Sequence, residues 1–411
     1  MYIVDKDKKR TKPHSQEKII SSTHNNKNSI TYALNGNKKL LHIHKQKIIN
    51  TSLLTSLYTN VHKRTTSLSS NVSQNKNKQT LNKGSSSSTH KHTSNNNTSG
   101  FHHNTSTSVN TVPFKKIKNI LTISKQGMDL QSVPKLNQDS YFVSTIPINS
   151  NSKYKYIGVC DGHGPNGHFI STFLKETLPK ELTKHLQERT LQPKHFPKQL
   201  INTYLSSNSK LSNNANIDTN FSGSTAVSVL FPDNLHTHPI YIANVGDSRA
   251  IVIKRYDCNN KWFYESLSRD HKPNEKDEAL RINRFGGRIE QYKDKDGKYV
   301  GPLRIWLSKE NIPGLAMTRS FGDQLAATVG VVCEPEVKEY FIKEEDKCVV
   351  IASDGLWEYV SNESCVEIAQ EYYAKNIMRE ELTEVLYREA KKRWKENNIN
   401  IDDITIVVIE L

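Results

Sequence analysis

The chain has 411 residues, with 57 Lys and Arg against 42 Asp and Glu, a net charge of +15 and 35% hydrophobic residues. No stretch approaches the roughly 18 apolar residues of a membrane span, and no apolar core of signal-peptide type stands near Met1. The charge is local: residues 1–112 hold 17 basic and 3 acidic residues, while the remaining 299 hold 40 and 39, so the overall basicity says nothing about nucleic-acid binding by the larger part.

Residues 1–113 are rich in Asn, Ser, Thr, His and Lys, with runs such as Ser85–Ser88 and Asn95–Asn97. They offer too few apolar side chains to offset the entropy of ordering, which predicts a disordered, low-complexity basic extension. Leu40–Tyr58 carries scattered Leu and Ile and is a candidate short helix on a partner. The segment's nine histidines have no cysteine companions, which argues against a metal site there. Its charge can attract nucleic acid, anionic lipid or acidic proteins; a solvated tail is the simpler reading. Met1-Tyr2 lacks the glycine needed for myristoylation. Five irregularly spaced cysteines predict a reducing setting, hence an intracellular protein, cytoplasmic or nuclear.

From residue 114 to 411 strand and helix signals alternate, and this is read as one folded domain. Leu136–Phe142 places the polar pair Gln138-Asp139 at the entry to a strand, and Tyr154–Cys160 predicts a mostly buried strand. Asp161-Gly162-His163-Gly164 follows where that strand runs out into a loop. A carboxylate, an uncrowded carbonyl and a proton donor there suit cation chemistry; taken alone, the same residues equally make a surface turn. Gly167–Gln187 has helical spacing, with Pro179 expected to kink or divide it, and Phe196–Leu211 is a second helix. Ser224–Phe231, Ile240–Val245, Ala250–Tyr256 and Lys261–Leu267 are strands. Only Gly246–Arg249 separates the middle two, which predicts an antiparallel hairpin. Glu275–Phe285 is a helix stopped by Gly286-Gly287, Cys348–Ala352 a buried strand ending at Ser353-Asp354-Gly355. Two amphipathic helices follow, the first capped by Ser361 or Asn362 and the second spanning Glu380–Glu396, and Asp402-Asp403 leads into a last apolar strand. Hairpins with long helices and no regular βαβ alternation indicate an α+β fold, an antiparallel sheet core with helices outside.

Asp161 and Asp354 end strands, Asp402 begins one and Asp247 lies in a turn, so an antiparallel sheet can gather these acids on one edge. Clustered carboxylates repel unless a cation sits among them, and oxygen-only ligands favour Mg²⁺ or Mn²⁺ over zinc. Two such ions would activate a water and clamp a phosphate.

Seven segments carry a resemblance. Asp161-Gly-His-Gly164, Gly223-Ser-Thr-Ala226, Val245-Gly-Asp-Ser-Arg249, Asp270-His-Lys-Pro273, Leu315–Asp323, Ser353-Asp-Gly-Leu-Trp357 and Asp402-Asp-Ile-Thr405 resemble, in order, the motif series of the PP2C-type (PPM family) metal-dependent Ser/Thr phosphatases. The resemblance implies an α-β-β-α sandwich, two antiparallel sheets packed together with helices on both outer faces. It implies that Asp161 bridges two metals, the Gly162 carbonyl ligates one, and Asp354 and Asp402 complete the other. Asp139 would orient the metal-activated water, and His163 would protonate the leaving Ser or Thr oxygen. Asp247, with Asp354 and Glu358, would suit a weaker third metal; relatives usually have Asp where Glu358 stands.

Two departures from the family pattern are visible. Gln138 replaces a common Glu, removing one negative charge, so weaker binding of the second metal is expected. Lys135 is the basic residue nearest to the position where many relatives hold a phosphate-binding arginine, and it lacks the bidentate fork. Arg249 and Arg319 are expected to pair structurally with acids. The favoured reading is a monomeric phosphatase acting on phosphorylated proteins, with no membrane span and no specific nucleic acid. The alternatives are a catalytically weak or inactive scaffold of the same fold, and a nucleic-acid binder using its tail. Substrate choice is expected to involve the insert between Gly287 and Gly314, with its Lys293–Lys298 tip.

Overall fold

The structure, a computed structural model, describes residues 115–411 apart from 130, 132, 150–151, 188–191, 236, 376–379 and 398–399. The expected disordered extension and the Leu40–Tyr58 helix lie outside the described residues.

The chain enters through β1 (Asn119–Lys125), β2 (Asp139–Asn149) and β3 (Ser152–His163), then α1 (Gly167–Leu186) and α2 (Phe196–Ser212). Next come β4 (Gly223–Ser224), β5 (Ala226–Pro232), β6 (Ile240–Val245), β7 (Arg249–Tyr256), β8 (Lys261–Ser266) and α3 (Lys276–Arg284). The insert supplies β9 (Arg288–Lys293), β10 (Tyr299–Trp306) and β11 (Pro313–Leu315), followed by β12 (Phe321–Gly322) and the one-turn α4 (Gln324–Ala327). β13 (Glu336–Tyr340), β14 (Asp346–Ala352), α5 (Asp354–Trp357), α6 (Asn362–Lys375), α7 (Leu382–Asn397) and β15 (Ile404–Glu410) complete it.

Two antiparallel sheets form the body: β1-β15-β14-β7-β8, and β12-β4-β3-β5-β6-β13 with β2 added on β3. Side chains alternate along each strand, so both faces of a central strand must find apolar partners. Ile157, Val159, Val227 and Ile242 of one sheet meet Val252, Val349, Ile351 and Val407 of the other in a dry inter-sheet layer. The opposite residues of the same strands, such as Tyr156 and Leu230, pack under Leu174, Leu178, Leu182 and Leu200 of α1 and α2. On the far side Val350, Ile406 and Val408 pack under Cys365, Ala369, Leu386 and Trp394 of α6 and α7. The result is the α-β-β-α sandwich, and Cys160 and Cys348 are buried core residues.

Three local expectations are corrected. β6 and β7 do not pair as a hairpin: β6 lies between β5 and β13, while β7 lies between β14 and β8 in the facing sheet. Gly246–Arg249 is therefore a crossover between sheets. Ile240 and Ile242 of β6 and Ala250 and Val252 of β7 enter the same inter-sheet layer, and strands paired side by side in one sheet could not face each other this way. The helix α1 is not divided at Pro179. Its fully buried stripe Leu174, Leu178, Leu182 and Leu186 outweighs the one backbone hydrogen bond that proline removes. Finally, β3 continues past Cys160 through Asp161 and His163, because Gly162 and His163 pair with Ser224 and Gly223 of β4.

Candidate functional site

Strand register brings the first acids together. Asp139 opens β2 directly opposite Asp161 near the end of β3. Gly162 lies under both: a Cβ there would stand 2.3 Å from the Gly167 carbonyl oxygen and 2.6 Å from that of Gln138. Only glycine allows that approach, which leaves the Gly162 carbonyl beside Asp161. Thr225, from the Gly-Ser-Thr-Ala segment, fixes the same strand end: the Asp161 N–H donates to Thr225 Oγ1 at 3.1 Å, and Thr225 Oγ1 lies 2.7 Å from Ser248 Oγ, beside Asp247.

The facing sheet supplies the other acids. Ser353 and Asp354 follow β14, and Asp402 and Asp403 precede β15. Ser353 N–H donates to the Thr405 carbonyl and Thr405 N–H to Ser353 Oγ, both at 3.1 Å, which clips the two segments together. Ser353 Oγ also donates across the sandwich to Asp139 Oδ2 at 2.7 Å. The acids thus converge from two facing sheets, not along one sheet edge as the strand pattern suggested.

Their electrostatics show the convergence. Burial, then Asp354, Asp139, Asp402 and Asp247 in turn, raise the Asp161 carboxyl well above the ordinary range. Burial and Asp403 do the same at Asp139, against hydrogen bonds from Ser353 and Thr405. Burial, Asp247 and Asp402 push Asp354 up to about 7. Asp139 is buried and Asp161 and Asp354 are half-buried, and the protein leaves these carboxyls short of positive charge. The tightest trio of acids among the described residues lies elsewhere: Asp277, Glu278 and Glu336 bring oxygens within 4.8 Å of one another, and Arg269, Arg281 and Arg319 already hold them.

Among the described residues, protein cations touch the cluster at two points. Lys135 Nζ donates to Asp402 Oδ1 at 2.9 Å, and although burial works against its charge, Asp402 raises its pKa. Lys272, from the Asp-His-Lys-Pro segment, donates to Asp247 Oδ2. Glu358 lies one turn beyond Asp354, its N–H bonded to the Asp354 carbonyl at 2.8 Å and its side chain exposed. Gln138 is held by its own backbone, whose N–H donates to Asp403 Oδ2 at 2.9 Å. With its amide oriented by the hydrogen-bond network, its nitrogen donates to the Gly162 and Gly164 carbonyls, each at 3.1 Å. Arg249 makes a two-pronged pair with Asp270 at 2.9 and 2.7 Å, and Arg319 binds Glu278 at 3.0 and 2.6 Å.

The sheet arrangement and motif positions match known proteins. The family described as "Protein phosphatase 2C" matches residues 124–399. The chain belongs to the protein phosphatase 2C family. Its PP2C relatives include "Probable protein phosphatase 2C 35" of Arabidopsis thaliana, 31% identical over 303 residues that cover 70% of this chain and 82% of that one. "Probable protein phosphatase 2C 64" of Oryza sativa subsp. japonica is 32% identical over 256 residues, covering 62% of this chain and 58% of the relative. Among solved structures, a serine-threonine phosphatase 2C from Toxoplasma gondii superposes with a TM-score of 0.50 at 18% identity, over 71% of this chain and 99% of that one. A C. elegans sex determining protein does so with a TM-score of 0.56 at 18% identity, over 72% and 65%. At that identity the two structures speak for the PP2C fold alone.

Four residues beyond the sequence expectations join the site. Asp323 Oδ2 lies 2.6 Å from His163 Nε2. Lys272 sits on Asp247, Ser353 on Asp139, and Asp403 holds the Gly127 and Gln138 N–H groups at 2.6 and 2.9 Å. All four stand in the quoted motifs, and every one of these partners is at least 25 positions away, so no local pattern announces them.

Proposed function

We propose that this chain is a protein Ser/Thr phosphatase that hydrolyses phosphoserine and phosphothreonine in protein substrates, using a two-metal Mg²⁺ or Mn²⁺ site, with 114–411 as the catalytic domain and 1–113 as a separate extension. The observation that carries it is the acid cluster of buried Asp139 and half-buried Asp161 and Asp354, raised by desolvation and by mutual repulsion. Its donors are oxygens, and Asp247 Oδ1 is buried without a hydrogen-bond partner among the described residues. That donor set fits hard divalent cations.

Asp161, the Gly162 carbonyl, Asp354 and Asp402 would hold the pair of ions, and Gln138 would stand near the second. Asp247 and Glu358 would attend a weaker third. Bound there, the ions would supply a nucleophilic water and neutralise the phosphoryl oxygens. Asp139, held by Ser353, orients the attacking water by accepting its hydrogen bond. His163 donates the proton that the poor alkoxide leaving group requires. Asp323, 2.6 Å from His163 Nε2, fixes the ring in place and the nitrogen it engages. Lys135 offers a point charge to the incoming phosphate, shared with Asp402.

A second reading, a weak or inactive scaffold of the same fold, draws on the three places where the protein fills its own site: Lys135 on Asp402, Lys272 on Asp247, and the Gln138 amide on two carbonyls. The deciding experiment is Mn²⁺-dependent phosphate release from a phosphothreonine peptide by the full chain, with Asp161→Asn and Asp354→Asn beside it. Metal-dependent turnover lost in both variants is the expected result. A folded wild-type chain without turnover at high Mn²⁺ would favour the scaffold.

A further inference from the structure

Asp247 is held in an unusual balance. Its side chain is 2% exposed. One oxygen accepts from Lys272 Nζ, while the other, Oδ1, is buried with no hydrogen-bond partner among the described residues. Burial disfavours charge at both groups. The Lys272 ammonium nevertheless pairs directly with the Asp247 carboxylate.

The pair is built by the backbone, not left to two flexible side chains. His271 N–H donates to the Gly246 carbonyl at 3.0 Å, and Gly246 N–H donates back to His271 Nδ1 at 3.1 Å. These two bonds lock the residue before Lys272 to the residue before Asp247. The lysine therefore arrives at the carboxylate from a fixed base, with the acid cluster beyond it. An unpartnered buried oxygen at the rim of that cluster is an open coordination position for a cation or its water.

We infer that Lys272 is a resident cation at Asp247: it takes one carboxylate oxygen, leaves the other for a divalent ion, and so keeps the ion affinity of that position low. This rests on the metal-dependent reading above. A fixed positive charge within a few ångströms opposes any cation entering beside it, and its removal leaves a buried carboxylate that an incoming ion or a proton must neutralise. Lys272 would thereby separate the Asp161–Asp354–Asp402 position, to which it makes no hydrogen bond among the described residues, from the Asp247 position, which it guards.

The test is a Mn²⁺ titration of the full chain, followed by calorimetry and by the electron paramagnetic resonance of free Mn²⁺. Wild type, Lys272→Gln, Lys272→Met and Lys272→Arg are compared, with Asp247→Asn to identify the weak class of ions. Gln keeps a donor for Asp247 Oδ2 while removing the charge, so it serves should the Met variant fail to fold. The weak class is expected to tighten about tenfold or more in the neutral variants, to stay weak in Lys272→Arg, and to vanish in Asp247→Asn, the tight class persisting throughout. A weak class unchanged in Lys272→Gln, or equally tightened in Lys272→Arg, overturns the inference while leaving the metal site standing. A folded wild type that binds no Mn²⁺ overturns the metal reading and this inference with it.

Discussion

His163 Nε2 and Asp323 Oδ2 stand 2.6 Å apart, with the two side chains 7% and 0% exposed. The partners are 160 positions apart in sequence, and Asp323 reaches its place in a left-handed conformation, φ 44°. A non-glycine residue in that region carries strain, which persists only when its surroundings over-determine it. Here the Asp323 N–H donates to the Ser222 carbonyl at 2.9 Å, fixing the turn.

The dyad predicts a specific kinetic signature. Asn tolerates positive φ and keeps an oxygen acceptor, so Asp323→Asn should fold and still contact His163 without the charge. Because a positioned general acid contributes about 10²–10⁴-fold, kcat on a phosphothreonine peptide is expected to fall about tenfold or more with KM nearly unchanged. An unchanged kcat with a raised KM would remove Asp323 from the proton-transfer machinery.

Gln138 gives a prediction of opposite sign with and without metal. Its amide nitrogen faces two carbonyl oxygens, at 3.1 Å each. Gln138→Glu would set a carboxylate against them and cost the metal-free fold about 1–3 kcal/mol, the usual penalty of an unsatisfied buried polar group. The same charge should tighten Mn²⁺ binding, so Tm should drop in EDTA and gain more on adding Mn²⁺ than the wild type does. Equal Tm values for the two proteins in both conditions would count against it.

Which parts of this were legible in the sequence follows from the range of the forces involved. The main helices and most core strands were readable, because apolar periodicity is local: the Leu174-Leu178-Leu182-Leu186 stripe and the Val349–Ile351 run each declare a buried face. The partner of β7 was not readable. A four-residue turn suggests a hairpin, and only the packing of Ala250 and Val252 against Ile240 and Ile242 shows that the chain changes sheets. The acids Asp139, Asp161, Asp354 and Asp402 were visible as strand-end residues in recognisable motifs. Their side-chain partners, Asp323, Ser353 and Lys272, were not, since a hydrogen bond across the sandwich leaves no mark on spacing. The short β1, whose register runs from Asn119 opposite Glu410 to Lys125 opposite Ile404, went unseen because its polar edge hides the strand signal.

Acid clustering predicts an inverted pH dependence for the metal-free fold. Asp139 and Asp161 are raised well above the ordinary carboxyl value and Asp354 is pushed up to about 7, burial being the first cause at each. The folded state then keeps protons that the unfolded chain has lost, so stability falls as pH rises. The window opens at the unfolded value, about 4, and extends to about 7 at Asp354. In EDTA, Tm should decline across that interval, and Mn²⁺ should restore most stability at its upper end, where it replaces the missing protons. Scanning fluorimetry at stepped pH checks this; a metal-free Tm that climbs across the whole window would mean that these carboxyls do not govern it.

Glu278 is the opposite case, a buried acid fully supplied with cations. It is 0% exposed, receives Arg281 at 2.8 and 2.7 Å and Arg319 at 3.0 and 2.6 Å, and ties α3 to the segment that ends at Asp323. Burial alone would raise its pKa, but the hydrogen bonds from Arg281 and Arg319 more than offset this and hold it well below the usual carboxylate range. A depressed acid stabilises the fold above its unfolded value, and that contribution is lost only as pH falls through the folded one. Glu278→Gln leaves two guanidinium groups facing a neutral amide, and breaking a buried pair from one side costs about 3–5 kcal/mol. Urea unfolding near neutral pH should show that loss, with a smaller difference in strong acid, where wild-type Glu278 also becomes neutral. Because Arg319 lies four positions before Asp323, phosphatase activity should also fail at a lower temperature than in the wild type. A loss below about 1 kcal/mol would place this network among surface ion pairs of little consequence.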